Sequence, residues 1–330
     1  MRGLDRHEQM PPLKPPLFSR RLSVHSTVFA RNGTGRPVTK RGTGIAFIAL
    51  AASLWGTWPL YTRAGGPTGV SIGFLALVMM ALPAPFVFRR AAFADRGAAI
   101  ALVLIGLADA GNMLLYFQAL ERGPIVVAVL SHYLAPTLVA ICAPFVLDER
   151  GSPRALWASP VVLLGLGLVL SHGSTTAGWA TTAGLGAGSA VFYAVVVLGS
   201  RRATRSFTPI AVMALHSAIS ALVMVLLFGR TVIPTVADRG LAIVMFGCLV
   251  NGLFAAWLFN LSLQRIEAQL VGLFTYLEPL TAALLGVAVL GEPFGFTSAA
   301  GLVLVVLAGA WAATGPVERL AEARGASASR

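Results

Sequence analysis

The amino-acid sequence predicts an all-α, polytopic membrane protein in which ten transmembrane helices form an inverted repeat of five plus five. Three observations predict this fold. The 330 residues are 56% hydrophobic and only 12% charged, whereas soluble domains carry roughly 25% charged residues. From Gly44 onward, apolar runs alternate with short polar breaks. Residues of the first half also recur in the second half at one fixed offset.

The apolar runs are the predicted helices. An α-helix needs about 20 residues to cross the hydrocarbon core of a bilayer, and ten runs approach this length. In chain order they cover residues 45–61, 69–88, 98–120, 125–147, 156–170, 178–198, 209–228, 241–263, 268–290 and 298–313. The breaks between them are too short to form a folded domain outside the membrane.

The distribution of basic residues orients these helices. With the N-terminus inside, the inner segments carry 21 of the 25 basic residues, and the outer loops carry only Arg63, Arg122, Arg230 and Arg239. Cytoplasmic loops carry such an excess, so we expect an integral protein of the bacterial inner membrane with both termini in the cytoplasm. The net charge of +12 then reflects orientation, and nucleic acid is not an expected partner.

The two ends of the chain differ from the helical part. Residues 1–43 are basic, include the proline-rich stretch 11–16 (PPLKPP) and lack a sustained apolar run, which a cleavable secretory signal would need. We expect a disordered cytoplasmic tail; a transit peptide and an overextended gene start are the alternatives. The predicted five-helix repeats are 44–173 and 178–315, and 316–330 is a second cytoplasmic tail.

An internal repeat relates the two halves at an offset of 143 residues. The segment 133–136 (YLAP) in the fourth helix matches 276–279 (YLEP) in the ninth. The same offset relates Leu120 to Leu263, Arg122 to Arg265, and Glu149 to Glu292. Because each unit has an odd number of helices, the second unit starts on the opposite side of the membrane. Such inverted repeats underlie alternating access in secondary transporters.

Several motifs resemble those of one transporter family. They are 54–57 (LWGT), 115–120 (LYFQAL), 147–150 (LDER) at the end of the helix that contains Pro136, and 276–279 (YLEP) in a helix that is followed by Gly291 and Glu292. In this order and spacing, the chain resembles the EamA-type permeases of the drug/metabolite transporter superfamily. The resemblance implies ten helices and transport of metabolites. The second helix has no basic residue where many relatives carry an arginine, so it gives no reason to expect an anionic substrate.

Two carboxylates near the middle of predicted helices are the leading candidates for a functional site. A charge near the bilayer centre costs at least about 2.5 kcal/mol, so such residues mark functional sites by default. Asp109 shares a helix face with Asn112 and Tyr116 at i+3 and i+7. Glu278 lies three residues from both Thr275 and Thr281. Either carboxylate could titrate during transport or bind a substrate ammonium group; the alternative is a structural hydrogen bond between helices.

Other candidates accompany these carboxylates. His132 suits proton coupling because histidine titrates near neutral pH, whereas for His216 we favour a structural hydrogen bond to a neighbouring helix. Trp55 could line a solute path, and Tyr276 belongs to the YLEP motif. The remaining pair, Pro136 and Pro279, should bend their helices symmetrically because proline removes a backbone hydrogen bond.

These features predict a secondary transporter, and specifically an exporter, of a small metabolite such as an amino acid or a related zwitterionic or cationic solute. The predicted cavity is lined by the first, third, fourth, sixth, eighth and ninth helices. A membrane-embedded enzyme acting on lipid-linked substrates is the alternative, but the chain lacks DDxxD and GxSG motifs. It also lacks the phosphate-binding GxxxxGK[ST] loop. We therefore expect no enzyme activity, no metal and no cofactor. The expected partners are a solute and the lipid bilayer, and a homodimer stays open.

Overall fold

A computed structural model describes residues 40–62, 67, 69–88, 93–122, 125–147, 149, 151–170, 178–234, 239–290 and 295–313. Their regular secondary structure is entirely helical. The predicted tail at 316–330 and most of the tail at 1–43 lie outside the described residues. The first helix begins at Lys40 rather than at the predicted Ile45.

Ten membrane helices, numbered α1 to α10, follow one another along the chain, and several consist of two or three consecutive segments. Their bounds are α1, Lys40–Trp55 and Trp58–Thr62; α2, Gly69–Ala81 and Ala84–Val87; α3, Arg96–Arg122; α4, Ile125–His132 and Ala135–Val146; α5, Pro153–Leu170; α6, Trp179–Ala203; α7, Pro209–Phe228; α8, Arg239–Gly247, Cys248–Ala255 and Ala256–Leu263; α9, Ala268–Phe274 and Leu277–Leu290; and α10, Phe296–Ala313.

The predicted all-α membrane fold is confirmed. Eight of the described helices are long and apolar enough to cross a membrane, and α5 and α10 are shorter apolar helices. These two pack closely against each other, since a Cβ on Gly165 of α5 would lie 2.7 Å from the Gly301 carbonyl of α10. Large apolar side chains such as Phe86 and Phe145 are almost fully exposed, which is typical of a surface that faces lipid.

Proline interrupts the two helices that carry the repeated motif. In α4 the chain turns at residues 133 and 134, and Pro136 follows in the first turn of the second segment. In α9 the turn covers residues 275 and 276, and Pro279 follows at the equivalent place. Because proline has no N–H and its ring clashes with the carbonyl four residues earlier, each helix breaks just before its proline. The breaks bring non-helical backbone into the middle of the bundle.

The middle of α8 is a π-helix that the sequence does not predict. Cys248–Ala255 adopts this wider winding between two α-helical segments. π-helical turns are rare and often lie at functional sites. The repeat offset relates this segment to residues 105–112 of α3, which form a regular α-helix. The two halves therefore differ in backbone at equivalent positions.

Candidate functional site

Glu278 lies at the break in α9, in the first turn of the segment Leu277–Leu290. Its carboxyl group accepts a hydrogen bond from the Tyr133 hydroxyl of α4, and Tyr116 of α3 and Tyr193 of α6 are its electrostatic neighbours. Glu278 is half-buried although the surrounding protein desolvates it. The carboxyl group is therefore partly exposed, with phenol groups from three other helices around it.

His132 joins these tyrosines into one aromatic cluster. Its ring centroid lies 4.3 Å from that of Tyr116 and 5.4 Å from those of Tyr133 and Tyr193. Its Nδ1 lies 2.8 Å from the Ser189 hydroxyl oxygen of α6. Because that hydroxyl donates its proton to the Gly186 carbonyl, Nδ1 must be the donor to Ser189. The hydrogen bond thus fixes the ring orientation.

Tyr276 of α9 contacts the cluster through Tyr133. Its hydroxyl donates to the backbone carbonyl of Tyr133 over 2.9 Å, and the two rings lie 5.6 Å apart. The carbonyl belongs to the turn that breaks α4, so this hydrogen bond satisfies a group that the broken helix leaves free. The residue equivalent to Glu278 in the first repeat is Ala135. Of the two equivalent breaks, only the one in α9 therefore carries a carboxylate.

Trp55 and Asn251 form a second contact between the halves. The Trp55 indole N–H donates a hydrogen bond to the Asn251 backbone carbonyl over 2.8 Å. Asn251 lies inside the π-helix of α8, where the backbone hydrogen bonds differ from those of an α-helix. The Asn251 side-chain amide donates to the Thr57 hydroxyl over 3.2 Å. Trp55 also packs against Phe259 with ring centroids 5.5 Å apart. The break in α1 is therefore held against α8.

Asp109 contacts α7 and forms a separate cluster from Glu278. The His216 Nε2 lies 3.7 Å from Asp109 Oδ2, and both side chains are almost completely buried. The side chains of Asn112 and Ser220 also interact with the Asp109 carboxyl group. The Ser220 hydroxyl donates to the Gly106 carbonyl of α3 over 2.9 Å, so the two helices are in direct contact here.

The structure therefore divides the predicted site residues into three groups. Tyr116, His132 and Glu278 come together in the aromatic cluster, with Tyr276 behind them. Asp109 and Asn112 face α7, and Trp55 faces α8. Thr275 is part of the break in α9, and its hydroxyl donates a hydrogen bond to the Gly272 carbonyl. It therefore does not form a polar face together with Glu278. Sequence reasoning gave no site role to Tyr193 or Asn251 and assigned His216 only a structural hydrogen bond.

One end of the bundle is tied together by charged groups. Arg201 at the end of α6 forms a 2.6 Å ion pair with Glu149, which follows α4, and also donates to the Leu263 carbonyl at the end of α8. The second Glu149 oxygen accepts from the Ala268 N–H over 3.1 Å. Four helix ends thus meet at one carboxylate–guanidinium pair, which we call the end clamp (Glu149, Arg201, Leu263 and Ala268).

The loop before α3 is attached to the same end. Asp95 interacts with the Ser206 hydroxyl and with Arg202, and it accepts a hydrogen bond from the Ala98 N–H. The bonds from Ser206 and Ala98, with the Arg202 guanidinium, lower the pKa of Asp95 to about 2. Asp95 is therefore ionised at any physiological pH. No group of three His, Cys, Asp or Glu side chains among the described residues could hold a metal ion.

Comparisons with known proteins agree with this architecture. The model of the EamA-like transporter family matches residues 42–171 and 181–314. An "Uncharacterized transporter" of Archaeoglobus fulgidus is 28% identical over 270 residues, which cover 80% of this chain and 93% of that protein. A protein known from a crystal structure superposes with a TM-score of 0.64 at 26% identity, covering 83% of this chain and 98% of the other.

Proposed function

Because the chain belongs to the EamA-like transporter family, we propose that it is a secondary transporter that exports a small zwitterionic or cationic metabolite, such as an amino acid, across the bacterial inner membrane. Family membership and the apolar helices make it a membrane transporter. The substrate class, the direction and the alternating-access mechanism are the proposal.

The observation that carries the substrate class is the Glu278 carboxyl group among Tyr116, Tyr133 and Tyr193. A partly exposed carboxylate can pair with an ammonium group. Aromatic faces attract cations electrostatically, by about 2 kcal/mol or more when the contact is desolvated. The cluster therefore favours a solute with a positive nitrogen over an anion.

The mechanism is supported by the arrangement of the two halves. Each half of the family match carries five apolar helices, so the second would begin on the opposite side of the membrane. Breaks in α1, α4 and α9 surround Glu278, as expected where two inverted halves meet at a central site. The end clamp lies at the end that the arginine distribution assigns to the cytoplasm. In an alternating-access cycle the closed clamp would shield the site from the cytoplasm, and it would have to open for solute to enter from inside.

An enzyme acting on lipid-linked substrates receives no support from the site. A metal-assisted or acid–base mechanism would need two carboxylates, or a nucleophile and its base, facing one space. Asp109 instead faces His216, whereas Glu278 is hydrogen-bonded to Tyr133.

Purified protein in detergent should reveal the substrate class by thermal shift. We would screen L-amino acids, their amides, and primary amines against the wild-type protein, Glu278→Gln and a control, Glu267→Gln, whose side chain forms no cap on α9. Solutes with an ammonium group should raise the melting temperature of the wild type and the control but not of Glu278→Gln. Stabilisation by organic anions alone, unchanged in Glu278→Gln, would contradict the proposal.

A further inference from the structure

The buried pair of Asp109 and His216 joins the two repeats at a place away from Glu278. Asp109 belongs to α3 in the first repeat, and His216 belongs to α7 in the second. The atoms Oδ2 and Nε2 lie 3.7 Å apart, and the side chains are only 6% and 3% exposed. A Cβ on Gly106 would lie 2.6 Å from Ile219 Cβ, so glycine allows the two helices to approach closely beside the pair.

The hydrogen bond on the other ring nitrogen fixes where His216 carries its proton. Nδ1 lies 2.6 Å from the Val212 backbone carbonyl, and a carbonyl oxygen only accepts hydrogen bonds. Nδ1 therefore carries hydrogen in every protonation state that keeps this bond. In neutral His216 the lone pair is then on Nε2, the atom that faces Asp109.

An ionised Asp109 beside a neutral His216 would place two acceptors face to face. It would also leave an unpaired negative charge in the interior, which is strongly unfavourable. One proton held by the pair removes both problems, either as a carboxylic acid that faces Nε2 or as an imidazolium beside a carboxylate. Both forms are neutral overall, so the buried pair holds a proton that the same residues would not hold together in water.

The neighbouring groups provide hydrogen bonds but no positive charge that could replace that of His216. The Asn112 side-chain amide is hydrogen-bonded to the Asp109 carboxyl group and is neutral. Ser220 has one hydroxyl proton for three acceptors, which are the carbonyls of Gly106 and His216 and the Asp109 carboxyl group, so it cannot neutralise a carboxylate. Tyr193 of α6 lies close enough to interact electrostatically with Asp109. The other titratable groups of α3 and of the helices packed against it include Tyr116 of α3, His132 and Tyr133 of α4, and, at helix ends, Arg96, Arg122, Arg201 and Arg202. Among the described residues, His216 is the one ionisable group whose charge stabilises the Asp109 carboxylate.

We propose that Asp109 and His216 share a single proton across the interface between the two repeats, and that this is a proton-binding site separate from the solute site at Glu278. Loss of the proton would leave two acceptors opposed and weaken the contact between α3 and α7. Any movement of one repeat against the other that separates these helices would in turn favour proton release. The coupling role rests on the proposed transport function; the shared proton does not.

The proton can be detected directly in the wild-type protein near pH 8. In water at that pH an aspartate is ionised and a histidine is neutral, because their ordinary pKa values are about 3.9 and 6.5. Reconstituted protein labelled with ¹⁵N-histidine and ¹³C-aspartate would be measured by solid-state NMR and infrared spectroscopy. We expect either a protonated aspartate carboxyl signal or an imidazolium signal. The signal should be lost in Asp109→Asn and lost or shifted in His216→Gln.

Two control variants separate this result from the proposed solute site. His132→Gln and Glu278→Gln should leave the signal unchanged. A wild-type spectrum in which all aspartates are ionised and all histidines are neutral would overturn the shared proton, and so would a signal that survives both Asp109→Asn and His216→Gln. The thermal-shift experiment tests the solute site at Glu278 independently. Absence of the proton signal would therefore leave the proposed solute site unaffected.

Discussion

Tyr276 donates its phenolic hydroxyl to the backbone carbonyl of Tyr133 over 2.9 Å, and the two tyrosines occupy equivalent positions in the two repeats. The hydrogen bond joins the break in α9 to the break in α4. Tyr133 in turn donates its own hydroxyl to Glu278. The two breaks therefore support each other, and the single carboxylate of the cluster is oriented by this chain of contacts.

Tyr276→Phe should destabilise the protein without removing the carboxylate. The substitution leaves the buried Tyr133 carbonyl without its partner, and an unsatisfied buried group costs about 1–3 kcal/mol. Thermal unfolding in detergent would measure the loss. Tyr61→Phe is the matched control, because the Tyr61 ring packs against Trp58 and Phe246 at the end of α1. Equal melting temperatures for Tyr276→Phe and wild type would contradict the supporting role.

Gly56→Ala should separate the break in α1 from α9. A Cβ at this position would lie 2.5 Å from the Glu278 carbonyl oxygen and 2.6 Å from Thr281 Cβ. The backbone cannot yield as a flexible side chain would, so α1 must shift. We expect a lower melting temperature and weaker solute binding. Gly184→Ala should have neither effect, because a Cβ there meets nothing within 4 Å. A Gly56→Ala protein that matches wild type in both measurements would rule out this close approach.

Glu149→Gln should loosen the end clamp. The carboxylate holds both Arg201 and the Ala268 N–H, and the neutral amide replaces a charge-assisted bond with a weaker one. Hydrogen–deuterium exchange should become faster at the start of α9. Arg202→Gln removes a more exposed ion pair, with Asp95, and should leave exchange at α9 unchanged. Unaltered exchange at Ala268 in Glu149→Gln would show that the clamp does not hold these helix ends.

The Asp95 cluster should show a defined dependence on pH. In the folded protein the pKa of Asp95 is lowered to about 2 from the ordinary 3.8. Its ionised carboxylate therefore stabilises the fold above about pH 4, and this stabilisation is lost as the pH falls toward 2. Ser206→Ala should therefore lower the melting temperature near pH 7, with a difference from wild type that shrinks below pH 4. Thr208→Ala is the control, since this neighbour makes no side-chain cap bond. A difference that grows on acidification would contradict the assignment.

The sequence was sufficient to predict the helices and the repeat, because apolar runs and proline positions are local signals. The YLxP motif marked both helix breaks, since proline acts on its own helix. It could not show that Tyr133 reaches Glu278, because that contact depends on how α4 packs against α9. Likewise, the i+3 and i+7 spacing placed Asp109, Asn112 and Tyr116 on one face. A face is wide enough to touch two neighbours, and here Tyr116 meets α4 while Asp109 meets α7.

Two features could not be predicted from the sequence. The π-helix at Cys248–Ala255 has no proline or other composition signal that separates it from an α-helix. The role of His216 depends on a partner more than 100 positions away and on the Val212 carbonyl that fixes its tautomer. The signal that could have suggested the pair is weak: a histidine and an aspartate are each unusual inside a membrane helix.

Solute exchange in proteoliposomes tests the central claim most directly. Liposomes containing wild-type protein would be loaded with an unlabelled mixture of L-amino acids, and the entry of the ¹⁴C-labelled mixture would be followed over time. Wild-type protein and Glu267→Gln should exchange label well above protein-free liposomes, whereas Glu278→Gln, with the same fold by circular dichroism, should be at least about tenfold slower. Exchange by Glu278→Gln at the wild-type rate would contradict a solute site at this carboxylate.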